Sequence, residues 1–225
     1  MAKAKDRHPK ASGDTAVPKA VVARLSLYLR QLERFVKQQR ETVSSSQLGK
    51  ALGITDAQVR KDLAYFGQFG YPGIGYRTEE LAGGIRRILG TDQSWPVALV
   101  GVGNLGRALT GYRGFPEQSF KIAALFDSDP KKVGSTYEGH TVYGLDESAR
   151  VIAEQAIKLA IIAVPADSAQ EVADDLVAAG IQGILNFAPT TLTVPARVNL
   201  VVVDLTVQLE QLSFLVTGAN KRAGE

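Results

Sequence analysis

Two constellations in this sequence have the residue types and spacing for chemistry. The first is Gly101-Val102-Gly103-Asn104-Leu105-Gly106, preceded by the apolar run Val97–Val100 and followed by the helix-like stretch Arg107–Tyr112. A strand that turns through three glycines into a helix suits a pyrophosphate. The first glycine makes the turn, the second lets backbone approach the phosphates, the third packs helix on strand, and the helix start attracts the anion. The next apolar run, Lys121–Phe126, ends at Asp127. An acid there is expected to accept hydrogen bonds from the adenosine ribose hydroxyls and to repel a 2′-phosphate. The expected ligand is therefore NAD(H) rather than NADP(H), although Lys131 and Lys132 pull the other way. Pro165 and the turn Asn186-Phe187-Ala188-Pro189 each follow a strand and are candidates for the nicotinamide pocket. Ordinary strand-to-helix turns fit them equally well.

The second constellation is a basic helix face. Thr55 can cap a helix that runs to about Phe66. Val59, Leu63 and Phe66 then share an inward stripe, leaving Ala57, Lys61, Ala64 and Tyr65 outward, flanked by Gln58 and Arg60. Alanines permit close approach to a DNA groove, while Arg60 and Lys61 reach phosphates or guanine edges. The same charges also fit a solvated surface. The following segment, Phe66–Tyr76, places Gly67, Gly70, Gly73 and Gly75 between aromatic residues, as expected of a hairpin wing with Tyr71 and Gly73 near its tip. Ser46, in the helix before the reading helix, completes the candidate DNA contacts.

The elements that would position these groups follow from periodicity. Residues 1–17 read as a disordered basic tail, 18–90 as a winged-helix DNA-binding domain, 91–205 as a Rossmann-like doubly wound parallel sheet, and 206–225 as a terminal helix and tail. In the head, Val21, Val22, Leu25, Leu29, Leu32, Phe35 and Val36 recur at helical spacing from Pro18 to about Gln39. Ser44 and Gln47 form a capping box before a short helix ending at Gly53, Thr55 and Gln58 form a second box, and Glu79–Leu89 makes a further helix. In the body, strands are expected near 139–143, 159–164, 184–186 and 198–203, and helices near 147–156 and 166–179. The stretch Thr206–Thr217 is apolar on more than one side. It needs a second burying surface and is expected to pack on a partner subunit.

Composition narrows the function. Residues 1–90 hold 16 Lys+Arg against 8 Asp+Glu, and residues 91–225 hold 10 against 15, so a net charge of +3 divides into a basic head and an acidic body. That asymmetry suits a head that binds a polyanion. With no Cys, the chain has no disulfide, Cys-ligated zinc or thiol switch, as suits a reducing cytoplasm, and no metal site is expected. A redox signal would then have to be read from a small molecule. No apolar run approaches the about 20 residues of a membrane span. A small NAD-dependent dehydrogenase on the same scaffold is the chief rival. It lacks an obvious proton donor here: the two His are His8 and His140, and no Tyr has a Lys four residues on. A CoA- or nucleotide-binding regulator is the other rival.

In combination, Arg60–Gly67, Gly73–Tyr76, Gly101–Gly106, Phe126–Gly134 and Asn186–Pro189 resemble the Rex family of bacterial redox-sensing repressors. The resemblance spans about Pro18 to Thr217. It implies a non-enzymatic homodimer with exchanged C-terminal helices, bound to a palindromic operator when NADH is scarce and released when NADH binds. It also implies that Gln58, Arg60, Lys61 and Tyr65 read DNA, that Tyr112 lies near the nicotinamide, and that Arg30 and Asp204 form a salt bridge between head and partner body in the NADH-bound state. Two departures stand out: Pro72 replaces a basic wing-tip residue common among relatives, and Ala57 is smaller than the aromatic residue of some.

Overall fold

The computed structural model describes residues 17–222, with side chains described to Thr217. The basic extension expected to be disordered lies outside the described residues up to Ala16, as do residues 223–225. The chain splits into two compact units, Met1–Gln93 and Ser94–Glu225.

In the first unit, α1 (Lys19–Lys37) turns Val21, Leu25, Leu29, Leu32 and Phe35 inward at the anticipated spacing, and Tyr28 joins them fully buried. Val22, expected on the same stripe, is exposed. Helix α2 (Ser45–Leu52) opens on the complete Ser44–Gln47 capping box. Helix α3 (Asp56–Ala64) opens on Thr55, whose hydroxyl accepts the Gln58 amide N–H at 3.2 Å. Here the second capping box stops halfway: the Gln58 carboxamide turns to Asp62 instead of returning to the cap. Val59 and Leu63 are buried against α1, α2 and the fourth helix, α4 (Thr78–Leu89), in one apolar core.

The wing also differs from expectation. A long hairpin across Phe66–Tyr76 shrinks to a single bridge between Tyr71 and Gly75. The strand that follows, β2 (Tyr76–Arg77), pairs antiparallel with β1 (Thr42–Val43) ahead of α2. The physical reason lies in composition. Glycines and Pro72 supply few cross-strand side-chain pairs and one donor fewer, whereas Val43 and Tyr76 gain a place in the core.

The second unit is a seven-stranded sheet in the order β5-β6-β4-β3-β7-β8-β9. Its strands are β3 (Trp95–Val100), β4 (Phe120–Phe126), β5 (Thr136–Tyr137), β6 (His140–Tyr143), β7 (Leu159–Ile162), β8 (Gly183–Asn186) and β9 (Asn199–Val202). All neighbours are parallel except β5 and β6, a short edge hairpin of which the sequence pattern announces β6 alone. Along β3, Ala98 and Val100 enter one apolar cluster while Val97 and Leu99 enter another, so the strand is buried on both faces. Helices α7 (Ser148–Glu154) and α8 (Ala166–Ala178) supply the first cluster; Leu109 of α5 (Asn104–Thr110) and Phe115 of α6 (Gly114–Glu117) pack on the second. The chain leaves β3 for β4 on one side and later returns to β7 on the other. The switch point thus falls at β3, where open α/β sheets place their ligands.

The last helix, α9 (Leu205–Arg222), contrasts with the rest. Leu205, Leu209, Leu212, Phe214, Leu215 and Val216 are 57–76% exposed. The edge strand β9 beside it leaves Val201 and Val202 exposed as well.

Candidate DNA-reading and dinucleotide sites

In the head, a groove of about 600 Å³ is lined by Ser44 and Ser45 at the start of α2, by Arg60, Leu63 and Ala64 of α3, and by the wing from Gly67 to Tyr76. The fold thus brings Arg60, Tyr71 and Gly73 together. Ala57, Lys61 and Tyr65 lie exposed on α3, and Ser46 is exposed at the start of α2, outside the groove lining. Arg60 is already oriented: its Nη1 donates to Asp56 Oδ2 at 2.7 Å and to Ser45 Oγ at 3.0 Å. The Tyr71 hydroxyl meets the Glu80 carboxylate at 3.0 and 3.1 Å, and the Arg77 guanidinium lies 5.1 Å from its ring centre. The wing is therefore tied back onto α4.

Behind this surface, Asp62 is fully buried. Its carboxylate accepts from Arg24 Nε at 2.6 Å and Nη2 at 2.8 Å, from the Tyr28 hydroxyl at 2.8 Å, and from Gln58 Nε2 at 2.7 Å. Burial alone would push this carboxyl up. The hydrogen bonds from Arg24, Tyr28 and Gln58 outweigh it and hold the group below the usual aspartate range. The same cluster keeps Tyr28 protonated, chiefly through burial and then through Asp62. A carboxylate accepts about four hydrogen bonds, and four are present. Asp62 therefore fixes α3 against α1, and it orients Gln58, which is half-buried rather than freely outward. Sequence reasoning missed this network. The available signal was a charge on an otherwise apolar stripe between Val59 and Leu63, which demands a buried partner.

In the body, the register aligns Phe126, Val100, Ile162, Asn186 and Val202 in one row across β4, β3, β7, β8 and β9. The loops carrying Asp127, Gly101–Gly106, Pro165 and Phe187–Ala188 therefore all leave the same sheet edge. The three glycines there have different reasons. A Cβ on Gly101, whose φ is +98°, would lie 2.5 Å from the Ala163 carbonyl oxygen, and one on Gly106 would lie 1.8 Å from the Gly101 oxygen. Both are required by the protein's own packing. A Cβ on Gly103, at φ −84°, would meet nothing within 4 Å. The packing around it therefore gives no reason for a glycine at this position. Asn104 and Leu105 follow it, exposed, into the first turn of α5, where backbone N–H groups have no partner within the helix.

Asp127 is 7% exposed and already engaged within the chain. Its oxygens accept from the Val102 amide at 2.8 Å, the Asp129 amide at 2.9 Å and Lys132 Nζ at 2.9 Å. Burial raises its pKa, but Lys132 and the two amides prevail, so the carboxyl sits low and ionised. It ties the glycine loop to the end of β4, and these three hydrogen bonds use all but about one of the four positions at which a carboxylate accepts. Neither Lys132 nor the Val102 amide was anticipated as its partner. The fully buried Asn186 is likewise turned inward: its carboxamide donates to the carbonyls of Ala188 and Thr190 and accepts the Ala188 amide, shaping the loop rather than facing out of it. Phe187 packs on the second sheet cluster and Ala188 is buried, leaving Pro165 exposed at this edge, while Tyr112 is exposed past the C-terminal end of α5. The Tyr112 ring stands edge-on to Phe115 at 5.1 Å.

Arg30 is exposed on α1. Asp204 is half-buried and its Oδ1 accepts the amides of Thr206 at 2.8 Å and Val207 at 3.3 Å, so it caps α9.

Comparison with known proteins sorts these features. Residues 16–64 match the family "Putative DNA-binding protein N-terminus", and residues 92–190 match the CoA binding domain family. The redox-sensing transcriptional repressor Rex of Roseiflexus sp. (strain RS-1) is 49% identical over 88% of this chain and 90% of its own. That of Streptomyces avermitilis is 45% identical over 97% of this chain and 85% of its own. Among solved structures, the repressor RSP in complex with β-NAD+ and operator DNA superposes with a TM-score of 0.87 at 37% identity, covering 94% of this chain and 99% of RSP. RSP in complex with β-NADH gives 0.83 at 34% identity, with the same coverages.

Proposed function

Because the chain belongs to the Rex family of redox-sensing transcriptional repressors, we propose that its head grips operator DNA, that its body binds NAD(H), and that NADH binding makes the dimer release the operator. The observation that carries this reading is the pairing, in one chain, of a helix that presents Arg60 and Lys61 beside the wing with a glycine loop whose middle glycine has open space around it.

Residues of the body fit the adenosine diphosphate half common to NAD(H) and CoA. Gly103, Asn104 and Leu105 receive the pyrophosphate, and Gly101 and Gly106 hold the loop that presents it. Asp127 offers its remaining accepting position to the ribose, with Lys132 moving aside or sharing. Pro165, Phe187 and Ala188 lie along the edge where the nicotinamide half would run, Asn186 sets the loop of Phe187 and Ala188, and the family resemblance assigns Tyr112 to the nicotinamide. The reduced nicotinamide is neutral and the oxidised ring cationic, so apolar groups such as Phe187 and Ala188 favour NADH.

The exposed apolar side of α9 is covered by a second copy, giving a homodimer with exchanged terminal helices whose two heads meet the halves of a palindromic site. Arg30 then pairs with Asp204 of the other subunit in the NADH-bound state. NADH favours one arrangement of the dimer and DNA the other, so each ligand weakens the other by the same factor. The chain is a repressor and not an enzyme, as its relatives are named. No helix among the described residues is long and apolar enough to cross a membrane, and we place the protein in the cytoplasm with its DNA and nucleotide. Calorimetric titration with NADH, NAD+, NADPH and CoA tests the body. NADH should bind tightest, and CoA binding without NADH binding would overturn the assignment.

A further inference from the structure

We infer that Asp56 is a specificity-determining residue of the DNA interface, which buttresses Arg60 and discourages contact with phosphate alone. This rests on the DNA-binding reading of the head. Asp56 occupies the first turn of α3, with Oδ1 accepting the Ala57 amide at 2.8 Å and Oδ2 holding Arg60 Nη1 at 2.7 Å. The Arg60 hydrogen bond, then that of Ala57, holds its carboxyl below the usual range, so it is anionic at neutral pH. The same Nη1 reaches Ser45 Oγ at 3.0 Å on α2, so one guanidinium edge is fixed to both helices of the motif.

Two consequences follow. First, guanidinium donors lie in a rigid plane, and fixing Nη1 leaves the Nε–Nη2 edge as a pre-aimed fork for the two acceptors of a guanine, O6 and N7. Second, a fixed anion on the reading face repels every duplex equally through its phosphates, while only a base that fills the fork recovers the difference. An exposed i,i+4 ion pair contributes little to stability, so a structural role for Asp56 is weak. A purely helix-stabilising aspartate would not need Ser45 on the same nitrogen.

The test uses the full-length dimer, a duplex that the wild-type chain selects from a randomised library, and poly(dA-dT), which has no purine O6, as non-specific DNA. Asp56→Asn should raise affinity for poly(dA-dT) about two- to fivefold and lower the ratio of selected to non-specific affinity about tenfold. In an Arg60→Ala background the same change should leave the ratio within about twofold, because the buttressed group is gone. Unaltered thermal melting of Asp56→Asn shows that the fold is intact. A ratio that is unchanged or higher in Asp56→Asn, or one that falls equally without Arg60, overturns the inference. Failure of the wild-type chain to select any duplex would instead overturn the DNA-binding reading itself.

Discussion

Replacing Gly103 by Ala separates a glycine kept for a ligand from one kept for the fold. At φ −84° and ψ −164° alanine adopts the native backbone without strain, and its Cβ meets no protein atom within 4 Å. Losing glycine's freedom in the unfolded chain should leave stability unchanged or raise it by up to about 1 kcal/mol. On the proposed placement of the pyrophosphate against Gly103, however, the new methyl would crowd the ligand. Overfilling a close contact by one methyl costs about 1–3 kcal/mol, which at 1.4 kcal/mol per tenfold weakens NADH binding about 5- to 150-fold. The variant should therefore melt like the wild type, bind operator normally, and stay on it at NADH concentrations that release the wild type. Gly106→Ala is the contrasting control: its Cβ would lie 1.8 Å from the Gly101 oxygen, so it should lose stability along with binding. Calorimetry, thermal melting and fluorescence anisotropy on labelled operator read the three quantities. An NADH affinity within twofold of wild type in a stable Gly103→Ala protein would refute the placement of the pyrophosphate.

Asp62→Asn removes the charge that Arg24, Tyr28 and Gln58 face and should cost the head about 2–4 kcal/mol, measured by urea unfolding. Because the folded pKa of Asp62 lies below its unfolded value, this contribution is complete above about pH 5 and disappears as pH falls through the folded value, so wild type and variant should converge in acid. Phe214→Asp, at a side chain 76% exposed in one copy, would be neutral in a monomer but should dissociate the dimer in sedimentation velocity. Asp204→Asn keeps an N-cap acceptor for α9 while removing the charge, so it should weaken NADH-driven release without loosening the helix. Asp204→Ala would in addition lose about 0.5–2 kcal/mol of capping. An unaltered NADH response in Asp204→Asn and Arg30→Ala would remove that pair from the switch.

Pattern made the sheet and the helix pair legible, because the unbroken apolar run of β3 and the three- to four-residue spacing along α1 are local properties of the chain. Gly101–Gly106 was legible for the same reason: strand, turn and helix are contiguous. What remained hidden were choices among distant partners. Asp127 was recognisable as an acid at a strand end, yet its hold on Val102 and Lys132 depends on how the glycine loop and the turn after β4 fold back. Asp62 stood out as a charge among apolar neighbours, but Arg24 is 38 residues away. In the wing, glycine and proline announced turns without saying which strand Tyr76 would join. The apolar excess of α9 announced a missing surface, which a partner subunit is expected to supply.

In the proposed switch, one dimer trades operator for NADH. The most direct measurement is fluorescence anisotropy of a labelled, selected operator held by the protein at fixed salt and titrated with NADH and NAD+ in separate runs. NADH should drive the operator off, at concentrations well below any effect of NAD+, and the NADH midpoint should rise as operator is added in excess, as reciprocal linkage requires. An operator that stays bound at saturating NADH would contradict the account.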